Sequence, residues 1–262
     1  MSELWFVGLG LSDERGLSAR AWDALRSADE LFAEEYTATA PPGTIERVAR
    51  ELGRAVRALD RTLLESEAPI LEALRRSHRV ALLVVGDPFA ATTHVALRLA
   101  AEGAGHSWKY VPNASILTAA AGYLGLMHYR FGRTVSLPFP APGFAPRSPV
   151  EQIAGNRERG LHTLVLLDLR PEEGRFLTAG EALRMLRDRD PAGDLVPAGS
   201  PVAVVARVGR DDPAGWFGPL EELAEIDFGP PMHAVVVPAA DLHFEEAAAL
   251  DRFRLPRPDV PT

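Results

Sequence analysis

Three short segments of this 262-residue chain carry polar groups at spacings that could do chemistry. The first is Gly86-Asp87-Pro88-Phe89-Ala90-Ala91-Thr92-Thr93-His94, directly after the apolar run Val80-Ala81-Leu82-Leu83-Val84-Val85. Groups just past the carboxyl end of a buried strand face the usual ligand crevice of an open α/β fold. Asp87 there can accept hydrogen bonds from a ligand hydroxyl or ammonium, and the backbone after Pro88 offers free polar groups. Alternatively, Asp87 and Pro88 make a turn, and Thr92 or Thr93 caps the next helix. The second segment, Gly8-Leu9-Gly10-Leu11-Ser12-Asp13-Glu14, has Asp13 where a dinucleotide loop would place its third glycine. Its two glycines fit either close backbone approach by a ligand or a tight turn. The third, Pro112-Asn113-Ala114-Ser115-Ile116, opens a helix. The free N–H groups there either bind an acceptor or are capped by Asn113 or Ser115.

Other polar residues read as structural. Gly125-Leu126-Met127-His128-Tyr129-Arg130-Phe131-Gly132 has the mixture expected of a core or interface. His162 enters the apolar run 163–168, Ala206 ends a strand, and His233 follows Pro231-Met232 ahead of another. No histidine has a partner at ligand spacing, so metal binding is not expected. The absence of cysteine excludes disulfides, iron–sulfur clusters and thiol nucleophiles. Lys109 is the only lysine, which leaves a Schiff-base mechanism little to work with. The sequence contains no triad, phosphate loop or paired-carboxylate hydrolase motif. A net charge of −8 and no Lys/Arg block argue against nucleic acid as a partner. No apolar run reaches the roughly 18 residues of a membrane span. No basic stretch precedes an apolar one at the start, so a cytoplasmic protein is the expectation.

The elements that must position these groups alternate between strand and helix. Strands are expected at 4–7, 31–33, 79–85, 107–111, 134–137, 163–168, 201–208 and 234–238. Helices are expected at 18–28, 44–54, 67–76, 93–102, 115–126, 152–159, 178–187 and 244–253. Ser18 is the N-cap of one, and Thr178 with Glu181 forms a capping box on another. The pattern predicts a largely parallel sheet covered by helices, in two α/β halves: 1–112 and 113–262. The proline-rich 138–149 stretch is expected as a surface loop.

In combination and in this order, these segments resemble the diphthine synthase family, of the tetrapyrrole-methylase-like class of S-adenosylmethionine-dependent methyltransferases. The matching residues are the Gly8–Glu14 segment quoted above, Glu35-Tyr36-Thr37, Gly86-Asp87-Pro88 with Ala91-Thr92-Thr93-His94, and Asn113-Ala114-Ser115-Ile116. They continue with Gly122, Gly125-Leu126, Tyr129-Arg130-Phe131-Gly132-Arg133-Thr134-Val135-Ser136, His162-Thr163-Leu164-Val165-Leu166-Leu167-Asp168, and Leu242-His243-Phe244. The resemblance covers essentially the whole chain. It departs at Ala38, where the family has serine after Tyr-Thr, and at Phe89-Ala90, where other aliphatics are common.

The resemblance implies two α/β domains with S-adenosylmethionine bound in the cleft between them, and a homodimer. By motif, the implied cofactor contacts are Leu11, Asp87, Ala90, Ser115, Ile116, Leu166, Ala206 and His233, many of them through the backbone. The implied reaction is N-methylation of the 3-amino-3-carboxypropyl arm on a histidine of translation elongation factor 2, three methyl groups giving diphthine. Aromatic faces favour a quaternary ammonium, and Tyr36 and Tyr129 are the candidates for one. The competing readings are a tetrapyrrole methyltransferase, a non-catalytic protein that binds the elongation factor, and a nicotinamide dehydrogenase. Leu11-Ser12-Asp13 counts against the first, since tetrapyrrole enzymes generally carry Gly-x-Gly-Pro-Gly-Asp in that turn.

Overall fold

A computed structural model describes residues 2–34, 36–141, 143–193, 196–197 and 199–255. Glu35 of the Tyr36 motif and Pro142 of the proline-rich stretch lie outside the described residues. The elements in chain order are β1 (Glu3–Gly10), α1 (Ala19–Ser27), β2 (Glu30–Glu34), α2 (Thr44–Leu52), β3 (Arg57–Leu59), α3 (Arg61–Glu65), α4 (Ala68–Arg76), β4 (Arg79–Val85), α5 (Val95–Gly103) and β5 (Ser107–Val111). There follow α6 (Ile116–Leu124), β6 (Val135–Leu137), α7 (Ser148–Glu158), β7 (Thr163–Leu167), β8 (Leu169–Arg170), β9 (Arg175–Phe176), α8 (Ala179–Asp188), β10 (Pro201–Ala206), β11 (Ala214–Pro219), α9 (Leu220–Ala224), β12 (His233–Val237) and α10 (Phe244–Leu250). The chain forms two compact units. Unit 1 holds the residues up to Ile116 with Pro171–Gly174 and Gly209–Asp211; unit 2 holds the remainder. No helix among the described residues is long and apolar enough to cross a membrane.

Unit 1 is built on a five-stranded parallel sheet of order β3-β2-β4-β1-β5. Period-two alternation explains why its central strands read as unbroken apolar runs. On β4, Val80, Leu82 and Val84 pack with Ile70, Leu74 and Leu97, while Ala81, Leu83 and Val85 pack with Ala21, Leu25 and Val48. Both faces are covered, as parallel sheets require. Ser18 caps α1 by accepting from Ala21 N at 3.1 Å, as its position before the helix predicts. On the outer edge, β5 sets Lys109 beside β1, with Nζ 3.3 Å from Glu3 Oε1 and 4.9 Å from the centre of the Trp5 ring.

Unit 2 corrects the expectation of a largely parallel sheet throughout. Its order is β11-β10-β12-β7-β6, and only the β6–β7 pair is parallel. The reason lies in β11, which the sequence reading missed. Ala214-Gly215-Trp216-Phe217-Gly218-Pro219 holds two glycines and a proline, which mask the strand pattern. The short link from β10 to β11 is too brief for a crossover, so the strands must run antiparallel. The short β3, α3, β8, β9 and α9 were also unread. The capping box on α8 is present as expected, with Thr178 Oγ1 accepting from Glu181 N and Glu181 accepting from Thr178 N. The helix expected over 244–253 ends at Leu250 and tightens into a 3₁₀ turn at Asp251–Phe253.

One buried carboxylate ties unit 2 together at the motifs that follow α6. Glu246 is fully buried on α10. It accepts from Met127 N (2.9 Å), His162 Nε2 (3.0 Å), Arg130 Nη1 (2.6 Å) and His243 N (3.1 Å). Burial by itself would push its carboxyl up, but these donors outweigh it and hold the group below the usual glutamate value. His162 is also fully buried, and its Nδ1 accepts from Ala239 N at 2.9 Å. His162 therefore donates to Glu246 as a neutral ring, and burial lowers its pKa despite the carboxylate beside it. Three sequence segments converge on one ionised group, and the core reading of His162 holds. Glu246→Gln removes the charge and leaves the Arg130 guanidinium without its buried partner. The expected loss is about 3 kcal/mol of unfolding free energy by urea denaturation; a loss under about 1 kcal/mol would contradict the hub.

Candidate functional site

The loops after β1 and β4 leave adjacent strands toward opposite faces of the unit 1 sheet, since α1 covers one face and α5 the other. This is the switch point where open α/β sheets bind ligands. The two strand ends are clamped by reciprocal bonds, Gly10 N to Gly86 O at 3.0 Å and Gly86 N to Gly10 O at 2.8 Å. The turn expected at Gly8 therefore starts later, at Leu11, because β1 runs on through Gly10 with a register shift between Gly8 and Gly10.

Asn113 decides why this segment has glycines. Its Nδ2 donates to Gly8 O (2.9 Å) and Gly16 O (3.0 Å), bridging both ends of the first loop. A Cβ on Gly8 would lie 2.7 Å from Asn113 Cβ, so glycine is needed there to admit the asparagine. Gly86 differs. It sits at φ +76°, and a Cβ there would meet only Ala114 O, at 3.9 Å, so open space lies over the end of β4. Asn113 is thus a bracket for the loop; its Oδ1 accepts from Ala114 N at 2.8 Å.

Asp87 lies at the centre of this edge and is buried. Oδ1 accepts from Phe89 N (3.0 Å), and Oδ2 accepts from Tyr110 Oη (2.5 Å) and Asn113 N (3.2 Å). Ala90 N donates to Asp87 O at 3.2 Å, so the Asp87-Pro88 turn is real. Tyr110 has its pKa raised, first by burial and then by the Asp87 carboxylate that its hydroxyl serves. Neither Thr92 nor Thr93 caps α5: His94 occupies that position without a side-chain cap bond, and Thr92 Oγ1 donates instead to Pro88 O at 2.6 Å. Ala91, next to Ala90, holds φ +59°, an unusual conformation for a residue with a Cβ. Such strain tends to gather at ligand-binding loops. In unit 1, then, Leu11, Asp87, Ala90, Ser115 and Ile116 are all set around one strand edge.

Sequence reading missed Glu34. This fully buried carboxylate ends β2, where Oε1 accepts from Tyr36 N (2.7 Å) and Thr37 N (2.6 Å) and Oε2 accepts from Thr37 Oγ1 (2.9 Å). It shapes the turn that presents Tyr36, whose hydroxyl is 3.5 Å from Thr93 Oγ1. Tyr36 carries the Arg61 guanidinium over its ring at 5.8 Å, so a cation already occupies one aromatic face. The signal was an acidic residue at the end of an apolar run, followed two residues on by Tyr-Thr. Tyr129, in unit 2, is largely exposed and donates its hydroxyl to Met127 Sδ.

In unit 2 the other three predicted residues gather at one edge of the sheet. Ala206 pairs directly with His233, and Leu166 pairs with Ala234, the residue after it. His233 is buried, with Nδ1 accepting from Ala179 N (3.2 Å) and Nε2 donating to Pro230 O (3.1 Å). Both ring nitrogens are engaged, so hydrogen bonding to a ligand at this position falls to the main chain. Burial lowers the His233 pKa and keeps the ring neutral. Arg207, also unforeseen, follows Ala206 at φ +52°. Its guanidinium donates to Pro230 O (2.6 Å) and Asp212 Oδ2 (2.6 Å), pinning the segments that flank His233.

Residues 3–224 match the model of the tetrapyrrole (corrin/porphyrin) methylases. The chain is 40% identical over 247 residues to the diphthine synthase of Methanothermobacter thermautotrophicus, spanning 93% of this chain and 92% of that one. It is 40% identical over 252 residues to the diphthine synthase of Methanocorpusculum labreanum, spanning 95% and 98%. A crystal structure of a diphthine synthase superposes with a TM-score of 0.88 at 37% identity, covering 97% of this chain and 96% of that one. The fold and the match define an S-adenosylmethionine-dependent methyltransferase of the tetrapyrrole methylase class. Within that class the chain belongs to the diphthine synthase family.

His162 and His233 are both held neutral in the folded state, while each is free to protonate near pH 6.5 once unfolded. Their contribution to stability is complete above that pH and is lost as pH falls through it toward the lower folded values. The urea midpoint is expected to decline between pH 7.5 and 5.5, ahead of any carboxylate titration. A flat midpoint over that range would show that the rings are not held neutral.

Proposed function

We propose that this chain N-methylates the 3-amino-3-carboxypropyl arm of a modified histidine on translation elongation factor 2, forming diphthine with S-adenosylmethionine as donor. The observation that carries the reading is 40% identity to diphthine synthases over nearly the whole of both chains. A tetrapyrrole substrate fits the first loop less well, because Leu11-Ser12 stands where those enzymes generally carry Pro-Gly.

The unit 1 edge suits such a donor. There is open space over Gly86, a strained loop at Ala91, and a rigid carboxylate at Asp87. Leu11, Asp87, Ala90, Ser115 and Ile116 are the unit 1 residues that would hold it. When bound, the sulfonium supplies an electrophilic methyl carbon. The protein's own task is alignment, because an in-line displacement gains most of its rate from holding nucleophile and methyl carbon in register. Asp87 serves that task by fixing the loop: with three protein donors on its oxygens it is a braced acceptor, poorly placed to shuttle protons. We read the working form as a cytoplasmic homodimer, again on the family resemblance; light scattering of the purified protein tests the dimer.

Isothermal titration with S-adenosylhomocysteine, the expected product, is expected to give saturable binding at micromolar affinity. Methyl transfer to elongation factor 2 carrying the unmethylated arm then tests the substrate. No binding to folded protein would sink the reading. Asp87→Ala is expected to weaken S-adenosylhomocysteine by about 1–3 kcal/mol, the cost of unmade buried hydrogen bonds. Unchanged affinity in the folded variant would take Asp87 out of the site.

A further inference from the structure

The loops that follow β2 and β3 open at the same carboxyl edge of the unit 1 sheet as those after β1 and β4, because all five strands are parallel. A cavity of about 410 Å³ lies among them. Its walls include Tyr36 from the turn after β2, Asp60, Arg61 and Thr62 at the start of α3, and Glu172 from the Pro171–Gly174 segment of unit 1. The charged lining is thus two carboxylates and one guanidinium. An apolar ligand would strand these groups, and a simple anion or cation would meet its own sign as well as the opposite one. A zwitterion answers both signs.

We propose that this cavity seats an amino-acid head group, its carboxylate on Arg61 and its ammonium against Asp60 and Glu172, and that Arg61 sets the substrate specificity. The guanidinium is placed for this over the Tyr36 ring, 5.8 Å from its centre. Its Nε donates to Glu65 Oε1 (2.8 Å) along α3, but both side chains of that pair are exposed. Exposed pairs of this kind are weak, so a carboxylate that takes the guanidinium in the bidentate manner displaces little. Asp60 is fixed where it stands, because its Oδ1 accepts from Leu63 N (2.8 Å) as the cap of α3. Tyr36 joins the cavity to the cofactor loop: Glu34 holds its amide, and its hydroxyl lies 3.5 Å from Thr93 Oγ1. The identity of the head group rests on the methyltransferase reading above, on which it is the 3-amino-3-carboxypropyl arm of the modified histidine. Arg61 then grips the one end of the arm that does not react, and binding energy spent there aligns the end that does.

The test uses the whole protein and two small probes, with binding read by ligand-detected nuclear magnetic resonance. One probe is free imidazole carrying the 3-amino-3-carboxypropyl arm; the other is imidazolyl-propylamine, which has the same arm without its carboxylate. The wild type is expected to prefer the first about 10- to 100-fold, the worth of a hydrogen bond to a charged group. In Arg61→Met that preference is expected to vanish, and in Arg61→Lys to return in part, with circular dichroism showing both variants folded. Equal affinity for the two probes in the wild type, no binding of either, or a preference that survives Arg61→Met overturns the proposal. In the transfer assay on elongation factor 2, Arg61→Met is expected to raise KM by a similar factor and leave the affinity for S-adenosylhomocysteine unchanged. An unchanged KM would overturn the specificity role. A wild type that binds the first probe through Arg61 yet transfers no methyl group would sink the methyltransferase reading while supporting the cavity's assignment.

Discussion

A carboxylate withdrawn from water keeps its charge only where enough donors reach it. Three of them in this chain decide where loops go. Asp87 gathers the ends of β4 and β5 with the segment that opens α6; Glu34 shapes the end of β2; Glu246 gathers three segments of unit 2. Each is an acceptor with more than one donor depending on it, so the loops follow from the placement of a few charges. Apolar contact could hold the helices against the sheets but would not fix a loop to a fraction of an ångström. For a reaction whose rate rests on alignment, that fixity is the useful product of the fold.

Regular structure was legible where one force dominated. The run 79–85 is buried on both faces and could only be a central parallel strand, and its bounds match. Ser18 and Thr178 announced their helices because a hydroxyl before an apolar-periodic segment has one obvious use. The second sheet was read wrongly because β11 draws its place from pairing with β10, with no apolar pattern of its own. Tertiary context overrode local propensity there.

The site was legible in part, and for a different reason. The segments could be found because their order resembles a family, while the work each residue does became visible only in three dimensions. Asn113 was read as a helix cap or a ligand contact and is a bracket for the first loop. The glycines at 8 and 86 look alike in sequence, yet one admits a side chain and the other leaves open space. Arg207 carried no motif of its own; what marks it is a positive φ beside a strand end, which a string of letters does not display.

The pairing of Lys109 with Glu3 and the Trp5 ring has a practical side. Among side chains, amine-directed reagents have a single target in this protein, because arginine supplies all the other basic residues. A dye attached to Lys109 would sit on the edge strand β5 beside an indole, one residue from the tyrosine whose hydroxyl serves Asp87. The composition thus provides a one-site optical reporter on the strand that braces the Asp87 loop, with no engineered cysteine required.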